Sequence, residues 1–413
     1  MIKKIGLKNM NWIKFKEVIK NTSLVLGSLI FALLLGEICL RLFFVSPILT
    51  DPILGNIGLP GKGYDANGFR NEKVLNQADI VAIGDSQTYG NNAVAMSEPW
   101  PQTLGALTGN SVYQMAFGGY GPAQYSYLID RAIALKPRLV VVGFYFGNDL
   151  EDAFSSVYNP NNNYWQALQD QAIMKSVKEN LAQQGNSDIR LILQTGYQQN
   201  SFSLRIYKIR RYLRSHLRIY AFLGDASRQL REKLGLAKDK SEIQSSVEDW
   251  IDNNPNEGLV FKQGDYSSII SPSYRLSAVD LSNSKTAEGW RLTQYFFQDI
   301  QKRLADQKIN LLIVKIPTKE AVIGSVWQKR DGQINDSLNN FLTKEDELSK
   351  TFFDFCKNQK ISCVDAFPGL EAAVSNNETV YPQTMDGHPV PKGYHIIAEQ
   401  IYNFMQQSGV ENK

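Results

Sequence analysis

Cysteine and histidine are scarce here, with three of each in 413 residues. So few of either excludes a disulfide framework or a Cys/His-rich zinc scaffold as the source of stability. Clusters with metal-ligand spacing are missing, and so is a Gly-rich phosphate loop of the Walker type; no cofactor is expected. An excess of charge of one sign is also lacking. The 44 Lys and Arg against 41 Asp and Glu leave a net charge of +3, which argues against nucleic acid as the main partner.

Long apolar runs are rare too, and the one present is informative. Ser23 to Val45 is long enough to cross a bilayer, which takes about 20 residues, with Glu37 and Arg41 as its only charged residues. Glu37 and Arg41 lie four apart, on one helical face, where they can pair. Lys3, Lys4, Lys8, Lys14, Lys16 and Lys20 precede the run against the single acid Glu17. By the positive-inside rule the N-terminus is expected in the cytoplasm, with everything after Val45 outside. No small-x-small cleavage site follows, and Ile38 precedes Cys39 where a lipoprotein signal needs a small residue, so a retained single-pass anchor in the plasma (inner) membrane is expected.

The rest is long enough for a full α/β core plus an extra module. Residues 1–22 read as a cytoplasmic basic tail, 23–45 as the transmembrane helix and 46–77 as a Gly/Pro-rich tether in which Arg70 fixes the tether to the domain or reaches the site. Apolar strands then alternate with amphipathic helices. Strands are expected at Asp79–Asp85, Ser111–Phe117, Arg138–Phe146, Asn310–Pro317 and Ile361–Phe367. Helices are expected near Trp100–Leu107, Pro122–Leu135, Thr286–Lys308, Lys344–Lys360 and Lys392–Gln407. This pattern predicts a parallel, doubly wound sheet built from residues 78–155 and 285–408.

Residues 156–284 interrupt the alternation as a mostly helical, polar insertion. Within it, Ile206, Ile209, Leu213, Leu217 and Tyr220 form one helical face, with Lys208, Arg211, Arg214 and Arg218 opposite. Such a face fits ordinary solvation, an anionic lipid surface or an acidic polysaccharide. Glu242 to Tyr274 reads as a loop able to cover a site. Cys356 and Cys363 flank a helix-to-strand turn, where either a disulfide or two buried thiols would fit.

The stretch that carries chemistry is Val81-Ala82-Ile83-Gly84-Asp85-Ser86-Gln87-Thr88-Tyr89-Gly90. An apolar strand ends abruptly in small and polar residues, which places the Ser86 hydroxyl at the C-terminal edge of a parallel sheet, where such sheets hold ligands. Three further blocks follow in order: Gln114-Met115-Ala116-Phe117-Gly118-Gly119-Tyr120-Gly121-Pro122, Phe144-Tyr145-Phe146-Gly147-Asn148-Asp149 and Asp386-Gly387-His388-Pro389. A serine hydroxyl needs a general base, and the base needs an orienting group. Of the three histidines, His216 lies in the basic helix and His395 in the last helix. His388 alone lies on a Pro-flanked loop, so it is the candidate base, with Asp386 as its orienter.

These ordered blocks resemble the SGNH (GDSL-type) hydrolase superfamily over roughly residues 78–155 and 285–408. The resemblance implies a flavodoxin-like strand order and an oxyanion hole from the amide of Ser86, the amide of Gly119 or its neighbour Gly118, and the side chain of Asn148. In two places the spacing differs from the usual pattern: Gly147 directly precedes Asn148, and one residue, Gly387, separates Asp386 from His388. Asp85, Asp149, Asp152 and Lys319, each near a strand's C-terminal end, line the pocket or the surface. The implied activity is a membrane-anchored serine esterase that deacylates an envelope or secreted carbohydrate. An O-acyltransferase using the same acyl-enzyme is the alternative, and a non-catalytic polysaccharide-binding envelope protein is the third. Expected partners are an acylated small molecule or carbohydrate, the membrane through the N-terminal helix, and polysaccharide-assembly proteins.

Overall fold

The structure is a computed structural model that describes residues 3–43, 48–61, 63–91, 93, 95–159, 164–173, 175, 213, 217–233, 258–264 and 266–409. They fall into two compact units.

The smaller unit contains helix α1 (Lys3–Phe43), which starts well before the expected span because the Lys- and Asn-containing segment ahead of it carries no proline and only one glycine, Gly6. Its stretch Glu17–Arg41 is long and apolar enough to cross a membrane, and side chains such as Leu24, Val25 and Phe31 are exposed. Arg41 Nε donates to Glu37 Oε1 at 2.8 Å, the pairing that the four-residue spacing implies. The Glu37 carboxylate also accepts from the backbone amides of Arg218 (3.1 Å) and Ile219 (2.8 Å), capping a helix over Arg218–Lys233. Of the expected basic face, Arg218 opens this helix, whereas Lys208, Arg211 and Arg214 lie outside the described residues, as does His216.

The larger unit starts with a hairpin, β1 (Ile48–Asp51) and β2 (Gly55–Gly58). This corrects the reading of 46–77 as a bare tether. Phe69 is fully buried, Tyr113 Oη donates to Asp65 Oδ2 at 2.6 Å, and Arg70 donates to the carbonyls of Tyr89, Gly90, Ala93 and Ala95. Arg70 therefore fastens this segment to the domain by donating to four backbone carbonyls of the 89–95 stretch.

Strand β3 (Ile80–Gly84), the short helix α2 (Ser86–Tyr89), α3 (Trp100–Thr108), β4 (Val112–Ala116), α4 (Pro122–Ala134), β5 (Leu139–Tyr145) and α5 (Asp149–Val157) follow. The next elements are β6 (Leu259–Gln263), β7 (Tyr266–Ile270), α6 (Pro272–Val279), α7 (Ser284–Ala305) and β8 (Asn310–Ile316). Then come α8 (Lys319–Asp331), α9 (Asp336–Gln359), β9 (Ser362–Asp365), α10 (Phe367–Ser375) and α11 (Pro391–Ser408). All five expected core strands form, and they pair in parallel in the order β4-β3-β5-β8-β9. Counted along the core this is 2-1-3-4-5, the flavodoxin-like order. The sequence LVVVGFY of β5 is buried throughout, as a central strand covered on both faces requires.

The described part of the 156–284 stretch is divided between the units: the helix Arg218–Lys233 belongs to the smaller one. Residues 258–283 belong to the same unit as the sheet: β6 and β7 form an antiparallel hairpin whose Phe261 and Ile270 are fully buried, and α6 follows. Residues 258–274, expected as loop, are thus hairpin and helix start; 242–257 lie outside the described residues. Cys356 at the end of α9 is disulfide-bonded to Cys363 in β9.

Candidate active site

Two glycines at one register make the turn that presents Ser86. Gly84 of β3 pairs with Gly143 of β5, and a Cβ on either would fall 2.0 or 2.3 Å from Thr88 Oγ1. Thr88 fills that space, so the chain can leave β3 and coil at once into α2. Asp85 caps this turn: its Oδ1 accepts from the Gln87 amide at 2.9 Å, and its Oδ2 lies 3.3 Å from Ser86 Oγ. Burial pushes the Asp85 carboxyl up to about 6, against the opposing effect of the Gln87 amide and the nearby His388.

The candidate base arrives from 302 residues away. His388 Nε2 lies 2.8 Å from Ser86 Oγ, and His388 Nδ1 lies 2.5 Å from Asp386 Oδ1, which also accepts from the His388 backbone amide at 3.0 Å. Asp386, acting only as an acceptor, fixes the proton on Nδ1 and leaves the Nε2 lone pair facing the serine. Asn91 Nδ2 points at the same nitrogen from 3.3 Å, and as a donor it fits only the unprotonated Nε2. The structure therefore brings together the three residues that the sequence singled out, Ser86, His388 and Asp386. The Ser86 side is buried, while the His388 and Asp386 side chains are 23% and 41% exposed, so the site opens to solvent on the base side. His395, by contrast, is on α11 beside Glu399 at 3.2 Å.

The oxyanion candidates lie on the neighbouring strand ends. Gly118 borders Ser86, since a Cβ there would lie 3.8 Å from Ser86 Cβ; Gly119 owes its identity to a backbone φ of +85°. Asn148 stands at the N-terminus of α5, where its Nδ2 donates to Asp152 Oδ2 at 2.8 Å. One amide hydrogen is thereby pinned and the other remains to be aimed. Asp152 also packs on Gly121, where a Cβ would fall 2.7 Å from Asp152 Cβ, so the glycine turn and the Asn148 turn support each other.

The other carboxylates and the lysine named from the sequence serve as struts. Asp149 is fully buried, accepting from Tyr125 Oη with both oxygens at 3.0 Å and from the Tyr145 amide at 2.9 Å. Burial, with the charges of Asp85 and Asp152, holds its carboxyl well above the ordinary range. Lys319 is fully buried and donates to the Thr384 carbonyl at 2.6 Å, which steadies the loop before Asp386; burial lowers its ammonium to about 8.

Four contributors were not expected. Gln87 Nε2 reaches the Gly387 carbonyl at 3.4 Å, Asn91 touches His388, and Tyr145 and Arg275 lie between the Asn148 and His388 turns. Gln87 follows Ser86 and is within reach of sequence reasoning. Arg275 has no local signal, because it comes from α6, within the stretch read as an insertion.

Fold and site define a doubly wound α/β domain with a Ser-His-Asp arrangement at the C-terminal edge of its sheet, and the strand order is the one that the resemblance to SGNH hydrolases implied. No family model matches the chain, and no curated protein matches it. Among solved structures it is similar to a member of the lipolytic protein G-D-S-L family from Veillonella parvula, at 11% identity over 79% of this chain and 98% of that one, with a TM-score of 0.31. It is also similar to phospholipase A1 from Streptomyces albidoflavus (10% identity, 80% and 99% covered, TM-score 0.39) and to an extracellular lipase from Streptomyces rimosus (10%, 80% and 99%, 0.35). Similarity at this level transfers no residue's role, so the chemistry rests on this chain's own atoms.

Proposed function

We propose that the chain is a membrane-anchored serine esterase of the SGNH type that removes short acyl groups, acetyl first among them, from an envelope or secreted carbohydrate. The observation that carries the reading is the chain of contacts from Asp386 through His388 to the Ser86 hydroxyl. His388 takes the serine proton as Ser86 Oγ attacks the ester carbonyl, and Asp386 stabilises the imidazolium that forms. Negative charge then develops on the carbonyl oxygen, for which the Ser86 amide, a Gly118 or Gly119 amide and the Asn148 side chain are the donors. His388 returns the proton to the leaving alcohol, and a water activated by the same nitrogen releases the acyl group.

Support for the outward placement comes from the basic N-terminal flank and from a disulfide beyond the apolar helix, since disulfides persist in oxidising compartments. The carbohydrate target is supported by that placement and by the solvent exposure of the His388 and Asp386 side chains, which leaves room for a bulky substrate.

The test is a fluorophosphonate probe together with a small chromogenic acetyl ester, with and without an acetylated oligosaccharide, products being identified by mass. Ser86→Ala should abolish labelling and turnover. Removing His388 should cost about as much turnover as removing Ser86 or both, because the two act as a unit. Asn148→Ala should retain labelling but lose turnover by about 100- to 1,000-fold, the usual effect of losing one oxyanion donor. Acyl transfer to the sugar in place of release to water would replace the hydrolase by the O-acyltransferase. A labelled Ser86→Ala protein, or full activity without His388, would sink both.

A further inference from the structure

Two glycines in the candidate site are small for the same reason. At Gly147, immediately before Asn148, a Cβ would fall 2.3 to 2.5 Å from the ring and hydroxyl of Tyr145. At Gly387, between Asp386 and His388, a Cβ would fall 3.2 Å from both Arg275 Nη2 and Tyr145 Oη. The phenol of Tyr145 therefore folds back over the Asn148 turn and ends against the His388 turn. Arg275 follows it: Nη1 donates to the Gly147 carbonyl at 3.1 Å, and its guanidinium carbon lies 5.9 Å from the Tyr145 ring centre and 5.3 Å from that of Tyr274.

The charge is held deliberately. The Arg275 side chain is only 17% exposed, and its Nε lies 3.6 Å from Glu320 Oε2. Glu320 is itself buried beside Lys319, whose ammonium grips the Thr384 carbonyl on the same loop as Asp386. A buried guanidinium with a nearby carboxylate and two aromatic faces is compensated without a hydrogen bond to every nitrogen. One arm of its planar fork donates to the Gly147 carbonyl while the other, Nη2, lies where a Cβ on Gly387 would press against it, a fixed geometry that a lysine ammonium on a flexible stem does not reproduce.

We propose that Arg275, seated with Tyr145 between Gly147 and Gly387, is a positioning residue that locks the turn bearing Asn148 to the turn bearing His388. This rests on the esterase reading of the site and adds to it that donor and base are registered to one another by a side chain from α6. Nucleophilic attack and proton transfer require both groups at one carbonyl, and a misplacement of about 1 Å costs on the order of 100-fold in rate.

The experiment is a double-mutant cycle on the full-length protein in detergent, Arg275→Ala crossed with Gly387→Ala, read by kcat and KM on a small acetyl ester. Arg275→Ala should lower kcat by roughly 10- to 100-fold with KM changed by less than about threefold, and added guanidinium should restore part of the loss. Gly387→Ala should lower kcat in the parent and do measurably less harm once Arg275 is gone, because neighbours in contact are not additive. Arg275→Lys keeps the charge and should still be impaired; it stands in for the alanine variant if that one fails to fold. Additive losses, a change in KM alone, or an Arg275→Lys protein with parental kcat would overturn the proposal. Fluorophosphonate labelling separates it from the underlying reading: a parent protein that is never labelled at Ser86 removes the esterase, whereas a labelled, active parent with an uncoupled cycle removes only the role of Arg275.

Discussion

Glu345 ends its side chain inside the larger unit, where its Oε1 accepts from the Thr318 amide at 3.1 Å and its Oε2 from Thr318 Oγ1 at 2.6 Å. It ties α9 to the turn after β8, and burial raises its carboxyl from 4.5 to about 7. A folded-state value above the unfolded one means that Glu345 favours folding below pH 4.5 and loses that contribution as pH rises through 7. The shift corresponds to roughly 3 kcal/mol. Glu345→Gln, which stays neutral, should therefore gain on the parent by up to about that amount between pH 4.5 and 8, measured by urea unfolding at fixed salt. A difference that does not change with pH would show that Glu345 titrates as an ordinary carboxylate. Single residues such as Ser86 and His388 were legible in the sequence because each stands in a distinctive local setting, a strand-to-turn break or a Pro-flanked loop. Arg275 was not, since it lies outside every block that carries chemistry, and Tyr145, though inside the Asn148 block, reads there as one more buried strand aromatic.

At the level of elements, the disulfide closes the short connection between α9 and β9, seven residues apart in sequence. Closing so short a loop removes unfolded-state entropy worth roughly 2–3 kcal/mol. Cys356→Ser together with Cys363→Ser should lower stability by about that much, and maleimide labelling of the denatured, unreduced chain should modify Cys39 alone, rising to all three cysteines after reduction. Three modified thiols before reduction would show that the bond does not form. Every core strand was readable to within two residues at either end, because a buried parallel strand is a continuous apolar run bounded by turn chemistry. The elements that were missed have weak periodicity. The β1–β2 hairpin has four-residue strands rich in Gly, Asn and Asp, and α8 begins with Lys319 and Glu320, charged residues that it buries. Tertiary contacts hold these segments, and those contacts leave no local signature.

Over the whole molecule, an apolar helix with a basic flank precedes a domain that carries both a disulfide and the candidate site. The expected topology is a cytoplasmic N-terminus with the site outside. Added protease should digest everything beyond Val45 in intact cells, after any outer barrier is opened, while a tag on Met1 survives; protection of the domain would reverse the orientation.

Sequence alone determined the strand-helix alternation and the apolar span, and it singled out Ser86, His388 and Asp386 as candidates, all of which are read from periodicity and turn chemistry over a few residues. Tertiary structure decided which strands lie side by side and that residues 48–71 are part of the domain. It also brought a side chain from α6 between the turns of Asn148 and His388. The physical reason is range. Helix and strand patterns arise from hydrogen bonds and burial between near neighbours, whereas the contact between Ser86 and His388 spans 302 residues and exists only once the sheet has packed.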